Sequence, residues 1–248
     1  LDRSEINIIN IDAYDKLAPL YKERTITTGR YPVLMPITLD DGRQMQFFFI
    51  DSTQYNFGMA FVDFLVRKGG LSPLRMLDIG TGAGNTLSYF ADGGYKTVGV
   101  DISQKMCRIA KRVSPKSEIL CGDIFDFPMI DRCFDAITMM SMLCQLPTSD
   151  AQNLLARVKQ WIKFDTGYIY ASTSVEENTE AGVFTKTMLG STMLNGKSVQ
   201  RFRTNYTISK FVELLESAGF EILMSSITYD KDQKSNRQFQ GYICRVRS

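Results

Sequence analysis

The chain contains no histidine, which removes the commonest general base and the commonest zinc ligand from any chemistry it performs. Its five cysteines, Cys107, Cys121, Cys133, Cys144 and Cys244, are odd in number and form no CxxC pair. They indicate neither a disulfide framework nor a thiolate cluster, and they read as reduced core residues with no metal to hold. Leu1 to Asn10 has neither the basic start nor the apolar stretch of a signal peptide, and no later run is long enough to span a membrane. A soluble, cytoplasmic protein is the expectation, although a start at Leu1 rather than Met leaves room for a removed leader. A dominant charge is lacking too: 29 Lys and Arg stand against 27 Asp and Glu, a net charge of +2 with the cations scattered. That argues against a nucleic-acid footprint. What remains is 248 residues that are 44% apolar, enough for one α/β domain with a sizeable core.

The most informative stretch is Arg75-Met-Leu-Asp-Ile-Gly-Thr-Gly-Ala-Gly-Asn85, which reads as a buried strand, a glycine turn and the start of a helix. Glycine in such turns often serves only to permit positive φ and close packing. The spacing says more. The glycines are Gly80, Gly82 and Gly84, whereas a dinucleotide fingerprint would put its third glycine at position 85, which is Asn85. Asp78, two residues before the first glycine, would repel a pyrophosphate and suits a cationic ligand carrying an ammonium and a sulfonium. Here the chain resembles the class I S-adenosylmethionine-dependent methyltransferases of small-molecule type, whose first motif runs acid, x, Gly, x, Gly, x, Gly.

Three later segments extend the resemblance. Tyr95-Lys-Thr-Val-Gly-Val-Asp101 is a second strand ending in a carboxylate, where an acid accepts both ribose hydroxyls. Ser103 is placed to cap the next helix, with Met106, Ile109, Ala110 and Val113 at core-facing spacing. Glu118-Ile-Leu-Cys-Gly-Asp123-Ile124 is a strand running into a Gly-Asp turn, a common turn in any fold. In the family this Asp accepts from the adenine amino group and the next residue covers the ring. Cys133 to Pro147 looks like the fourth strand and its exit. The resemblance thus covers residues 75 to 147. It implies S-adenosylmethionine as cofactor, held by Asp78, Gly80, Thr81, Gly82, Asp101, Ile102, Met106, Asp123, Ile124, Met140 and Tyr21.

The implied fold is a Rossmann-like seven-stranded mixed sheet in three α/β/α layers with one antiparallel strand; pattern reading alone gives strand and helix alternation. Residues 1–248 are read as a single domain: an N-terminal cover (1–70), a cofactor-binding core (71–173), a lid insertion after the fifth strand (174–206) and a final helix with an antiparallel hairpin (207–248). The cover holds a helix from Ile9 broken near Pro19, with Tyr14 and Tyr21 as candidate contacts, and a hairpin over residues 32–50 turning at Asp40-Asp41-Gly42. Packing on the domain edge would explain both tyrosines equally. Val175 to Asn205 carries Phe184, Met188, Met193, Phe202, Arg201 and Arg203, too apolar for a linker. It suits a lid, with Tyr14, Phe184, Met188 and Arg203 as candidate acceptor contacts, or a structural insertion packed on the N-terminal hairpin.

Methyl transfer from a sulfonium expels a neutral thioether, so alignment is the main requirement. Cys144 and Gln145 stand where many relatives carry histidine after the fourth strand. If a base is needed, the candidates are Glu176, Glu177, Glu180, Tyr14, Tyr21 or Tyr206, and none is singled out as catalytic. No Asn-Pro-Pro-Tyr, Asp-Pro-Pro-Tyr or Pro-Cys run is present. A small-molecule acceptor is favoured, with N-methylation ahead of O-methylation. An RNA or protein methyltransferase and a non-catalytic S-adenosylmethionine-binding regulator are the alternatives. Nothing in the residues marks the oligomeric state.

Overall fold

The computed structural model describes residues 1–18, 33–50, 54–70, 73–128, 131–187, 198–229 and 238–247. Helix α1 (Arg3–Leu17) begins earlier than the apolar spacing from Ile9 suggests. The reason is a capping box: the Asp2 carboxylate accepts from the Glu5 amide, and the Glu5 carboxylate accepts from the Asp2 amide at 2.8 Å. A hairpin follows, β1 (Val33–Thr38) and β2 (Gln44–Ile50), turning through Asp40-Asp41-Gly42 as expected. Then come α2 (Gln54–Lys68), β3 (Arg75–Ile79), α3 (Asn85–Asp92), β4 (Lys96–Asp101), α4 (Gln104–Val113), β5 (Glu118–Cys121) and β6 (Ala136–Met140). The second half holds α5 (Thr148–Trp161), β7 (Tyr168–Ser174), β8 (Glu180–Thr187), β9 (Ser198–Asn205), α6 (Ile208–Ser217), β10 (Phe220–Tyr229) and β11 (Gln238–Val246). Ser103 and Thr207 cap α4 and α6 with their hydroxyls, each accepting from a backbone amide three residues on.

The main sheet runs β1-β2-β10-β11-β7-β6-β3-β4-β5. Its inner seven strands, β10 to β5, are the mixed Rossmann-like core, with β11 antiparallel to both neighbours. The sheet is larger than expected, because the N-terminal hairpin adds two strands at the β10 edge. An open edge strand leaves a row of unpaired amides and carbonyls, and β2 pairs with β10 in parallel from Ser225↔Phe47 to Thr228↔Ile50. Phe47 is fully buried there, edge-on to Tyr242 with ring centroids 5.9 Å apart. Among the described residues of 1–70 the hairpin therefore prolongs the sheet, and α1 supplies the residues that line the site.

Alternation along β3 sorts the core into two faces. Leu77 and Ile79 join Leu154, Leu155 and Val158 of α5 and Phe211 and Leu215 of α6. Met76 packs with Val62 and Val66 of α2, Leu87 and Phe90 of α3 and Ala110 of α4. The result is three layers. Of the cysteines, Cys107, Cys144 and Cys244 are buried, but Cys133 is half-buried and Cys121 exposed, so the expectation of core residues holds for three. Among the described residues no helix is long and apolar enough to cross a membrane. Strand order reverses at β3, which has β4 on one side and β6 on the other. In such sheets the crevice outside the strands' carboxyl ends is where ligands bind.

Candidate functional site

At that crevice the glycine turn is tied to the tip of β4. Asp101 accepts from the Gly82 amide at 2.8 Å through one oxygen and from the Ser103 amide at 2.9 Å through the other. The glycines differ in role. A Cβ on Gly84, at φ +83°, would lie 2.9 Å from the Ala110 Cα of α4, so this glycine serves helix packing. At Gly82, φ +54°, a Cβ would meet nothing within 4 Å, and this residue lines the cavity.

Three carboxylates approach the cavity from adjacent strand ends. Asp78 is buried, and its oxygens accept from the Thr138 hydroxyl at 2.6 Å and the Thr81 hydroxyl at 2.8 Å. Burial pushes its pKa up from 3.8 to about 6, and the two hydroxyls partly oppose that. Burial also raises the Asp101 carboxyl, against the two amides that favour its charge. Asp123 caps the short 3₁₀ turn Ile124–Asp126 by accepting from the Phe125 amide at 3.0 Å. Its second oxygen accepts from Asn7 Nδ2 of α1 at 2.8 Å, with Arg3 Nε 3.4 Å away. Since a carboxylate offers about four lone-pair sites, Asp101 and Asp123 each keep acceptor capacity for a ligand.

The opposite wall comes from α1, β9 and the turn after β6. Asn10 donates to the Gln145 carbonyl at 3.1 Å and accepts from the Phe202 amide at 2.9 Å. The Thr204 hydroxyl donates to the Leu146 carbonyl at 2.7 Å. Ser141 is a non-glycine residue at φ +53°, held there by its amide's bond to the Ser172 carbonyl at 2.9 Å. Such strain clusters at ligand sites. Its hydroxyl and Gln145 Oε1 are buried without a partner, and both residues line the cavity. Arg201 and Arg203 complete this wall.

Most of the residues named from the sequence come together around this single cavity. Gly80, Thr81, Ile102, Met106, Ile124 and Met140 line it beside the three carboxylates and Gly82, and so do Tyr14 and Arg203. Phe184 does not: it sits half-buried on the β8–β9 hairpin, paired across it with Arg201 but outside the cavity lining. Tyr21 and Met188 lie outside the described residues. The hairpin itself forms a separate two-stranded sheet and, among the described residues, packs β9 against α1. Of the candidate bases among the described residues, Tyr14 lines the cavity and Glu176, Glu177, Glu180 and Tyr206 do not.

Asn7, Asn10 and Ser141 were not anticipated as site residues. Asn10 could have been found, because it breaks the buried stripe Ile6, Ala13, Leu17 of α1 with an amide at a core position. Ser141 carries no such signal, since its strain depends on β7.

Residues 76–165 match the protein family described as "Methyltransferase domain". Over 71 residues the chain is 34% identical to a demethylmenaquinone methyltransferase of Renibacterium salmoninarum, a match spanning 29% of this chain and 30% of that protein. Among solved structures, an S-adenosylmethionine-dependent methyltransferase of Methanosarcina mazei superposes with a TM-score of 0.60 at 18% identity, covering 74% of this chain and 98% of that one. The 1,6-didemethyltoxoflavin-N1-methyltransferase of Burkholderia thailandensis, with 1,6-didemethyltoxoflavin and S-adenosylhomocysteine bound, gives 0.58 at 17% identity, covering 77% and 79%. These two likenesses are of fold.

Proposed function

We propose that this chain, which belongs to the class I S-adenosylmethionine-dependent methyltransferases, transfers a methyl group from S-adenosylmethionine to a small-molecule acceptor. The observation that carries the reading is the meeting of Asp78, Asp101 and Asp123 at the ends of adjacent strands around one cavity. The residues suit the cofactor: Asp101 retains lone pairs for ribose hydroxyls, Asp123 for the adenine amino group, and buried Asp78 favours a cation beside it. The unpartnered Ser141 hydroxyl and Gln145 Oε1 offer further polar contacts. Bound there, S-adenosylmethionine supplies a methyl on a sulfonium whose departure as a thioether needs no proton.

The protein's own part is then to orient the acceptor, exclude water and leave the nucleophile unprotonated. Among the described residues, the titratable groups lining the cavity are the three aspartates, Tyr14 and the two arginines. The aspartates already accept from hydroxyls, amides or Asn7, which among the described residues leaves a phenol, Tyr14, as the candidate base. This supports N-methylation of an amine over O-methylation of an unactivated hydroxyl. Residues 1–248 are taken as one domain, since β2 and β11 share a sheet.

The test is transfer of labelled methyl to fractionated small molecules and to RNA. Label in a low-mass product is expected. Label in RNA would favour a macromolecular acceptor, and tight cofactor binding without any transfer would favour a regulator. Two acceptors of different pKa then separate the mechanisms: the pH-rate limb should move with the acceptor, and a stationary limb would reveal an enzymic base.

A further inference from the structure

Along β9, side chains two residues apart share a face. Val199 packs on Ala13 and Leu17 of α1, and the next two positions on that face, Arg201 and Arg203, line the cavity. They are only 9% and 6% exposed. Arg203 Nη2 donates to the Ser174 hydroxyl at 2.6 Å and lies 3.8 Å from a Glu176 oxygen, but its Nε is buried with no partner. The Arg201 side chain makes no hydrogen bond or ion pair with any described residue, and its guanidinium opens onto the cavity. A guanidinium cannot shed its proton to escape burial, and an unpaired charge out of water is strongly disfavoured. With Glu176 the one anion beside Arg203 and none beside Arg201 among the described residues, the wall carries more positive charge than they balance. We propose that the acceptor carries a carboxylate or phosphate, seated in the forks of Arg201 and Arg203.

The inference rests on the methyltransferase reading and names its substrate class. Planar guanidinium forks match carboxylate and phosphate oxygens in pairs. The position of the arginines assigns the anion to the acceptor. Arg203 is anchored to Ser174 at the carboxyl end of β7, and β6 stands between β7 and β3. Two strand spacings put that anchor roughly 10 Å from the end of β3. The carboxylates lie the other way, at β3, β4 and β5. Phe239, paired with Ser174 from β11, lines the same end of the cavity and adds an apolar surface for the body of an organic acid.

The anion has one other possible source, the cofactor's own carboxylate, and the experiment separates the two. The full chain is saturated with S-adenosylhomocysteine and titrated calorimetrically with inorganic phosphate and with benzoate. At least one probe should bind, and Arg201→Gln should weaken it by about tenfold or more. Affinities for S-adenosylhomocysteine and for 5′-methylthioadenosine, which lacks the amino-acid tail, should stay within about threefold of wild type. The apo melting temperature of Arg201→Gln should equal or exceed that of the parent, because an unpaired buried charge is removed; should that variant fold poorly, Arg201→Lys, which keeps the charge and loses the fork, takes its place in the same titrations. Loss of S-adenosylhomocysteine binding with methylthioadenosine unaffected would give the arginine to the cofactor and overturn the proposal. Wild type that binds S-adenosylhomocysteine but neither anion would overturn it and leave the methyltransferase reading standing. Failure to bind S-adenosylhomocysteine would overturn both.

Discussion

Asp78, Asp101 and Asp123 reach the cavity from the ends of β3, β4 and β5 or the turns just past them. Arg201 and Arg203 reach it from a hairpin pinned to a helix far earlier in the chain, through a bond between Phe202 and Asn10, 192 residues apart. The acidic wall is built by local geometry: glycine turns, short-range caps and neighbouring parallel strands. The basic wall exists only once α1, β9 and the turn after β6 have docked. Apart from Asp123, which α1 also holds through Asn7, different forces hold the two, so they should fail separately. A change in one should leave ligand binding at the other nearly untouched.

The largest effect expected concerns the cost of the acidic wall. Asp78 titrates near 6 in the folded chain against 3.8 for an ordinary carboxyl. Between those values the folded state binds more protons than the unfolded state, so stability falls as pH rises through roughly 4 to 6 and stays low above. Asp78→Asn removes that penalty. Its apo form should resist urea better at pH 7 by up to about 3 kcal/mol, at roughly 1.4 kcal/mol per pKa unit, with the advantage vanishing near pH 4. Urea unfolding at several pH values checks this, and a gain that persisted at low pH would mean the burial cost is not electrostatic.

Asp101→Ala comes next. Hydrogen bonds to a charged acceptor contribute about 1.5–3 kcal/mol, so cofactor affinity should fall by roughly ten- to a hundredfold. Calorimetry on a folded variant measures it. Because Asp101 also ties down the Gly82 and Ser103 amides, those two amides should exchange faster, while the Phe202 amide should not.

Asn10→Ala is the converse experiment. It leaves the Gln145 carbonyl and the Phe202 amide without their partner, at a cost of about 1–2 kcal/mol. Hydrogen exchange should quicken in α1 and at Phe202, with the Gly82 amide unchanged. Simultaneous loosening at Gly82 would break the separation of the two walls. The smallest effect belongs to Phe184→Ala. Since Phe184 lies outside the cavity, affinities for S-adenosylhomocysteine and for the anionic probes should each move by less than about 0.7 kcal/mol, or threefold. A selective loss of anion affinity would restore Phe184 to the site.

The same division decides how far the residues alone could be read. The acidic wall was legible because each carboxylate is placed by its own neighbours. A buried strand ends, a glycine accepts positive φ, a Ser or Asp caps the next helical turn, and the spacing of these events is written in consecutive letters. The capping box at Asp2 and Glu5 was equally local and could have been read. Arg203 was named from the chain as a candidate acceptor contact in a long insertion, beside Phe184, which the cavity leaves out. Neither the strand that carries Arg203 nor its alternation with Arg201 showed in the pattern, because each face of residues 198–205 holds one apolar side chain among polar or charged ones, so no apolar side stands out.

By itself the sequence determined the order of strands and helices from β3 to β7 and from α6 to β11, the glycine turn and the three acidic tips, since backbone conformation there depends on residue types within a few positions. Only the tertiary structure decided that the N-terminal hairpin would complete the β10 edge, that α1 would bridge Asp123 and Phe202, and that two arginines would be buried facing the acids. Those outcomes depend on which distant surfaces satisfy one another's hydrogen bonds and exclude water, and the affinity of one surface for another leaves no period in the chain.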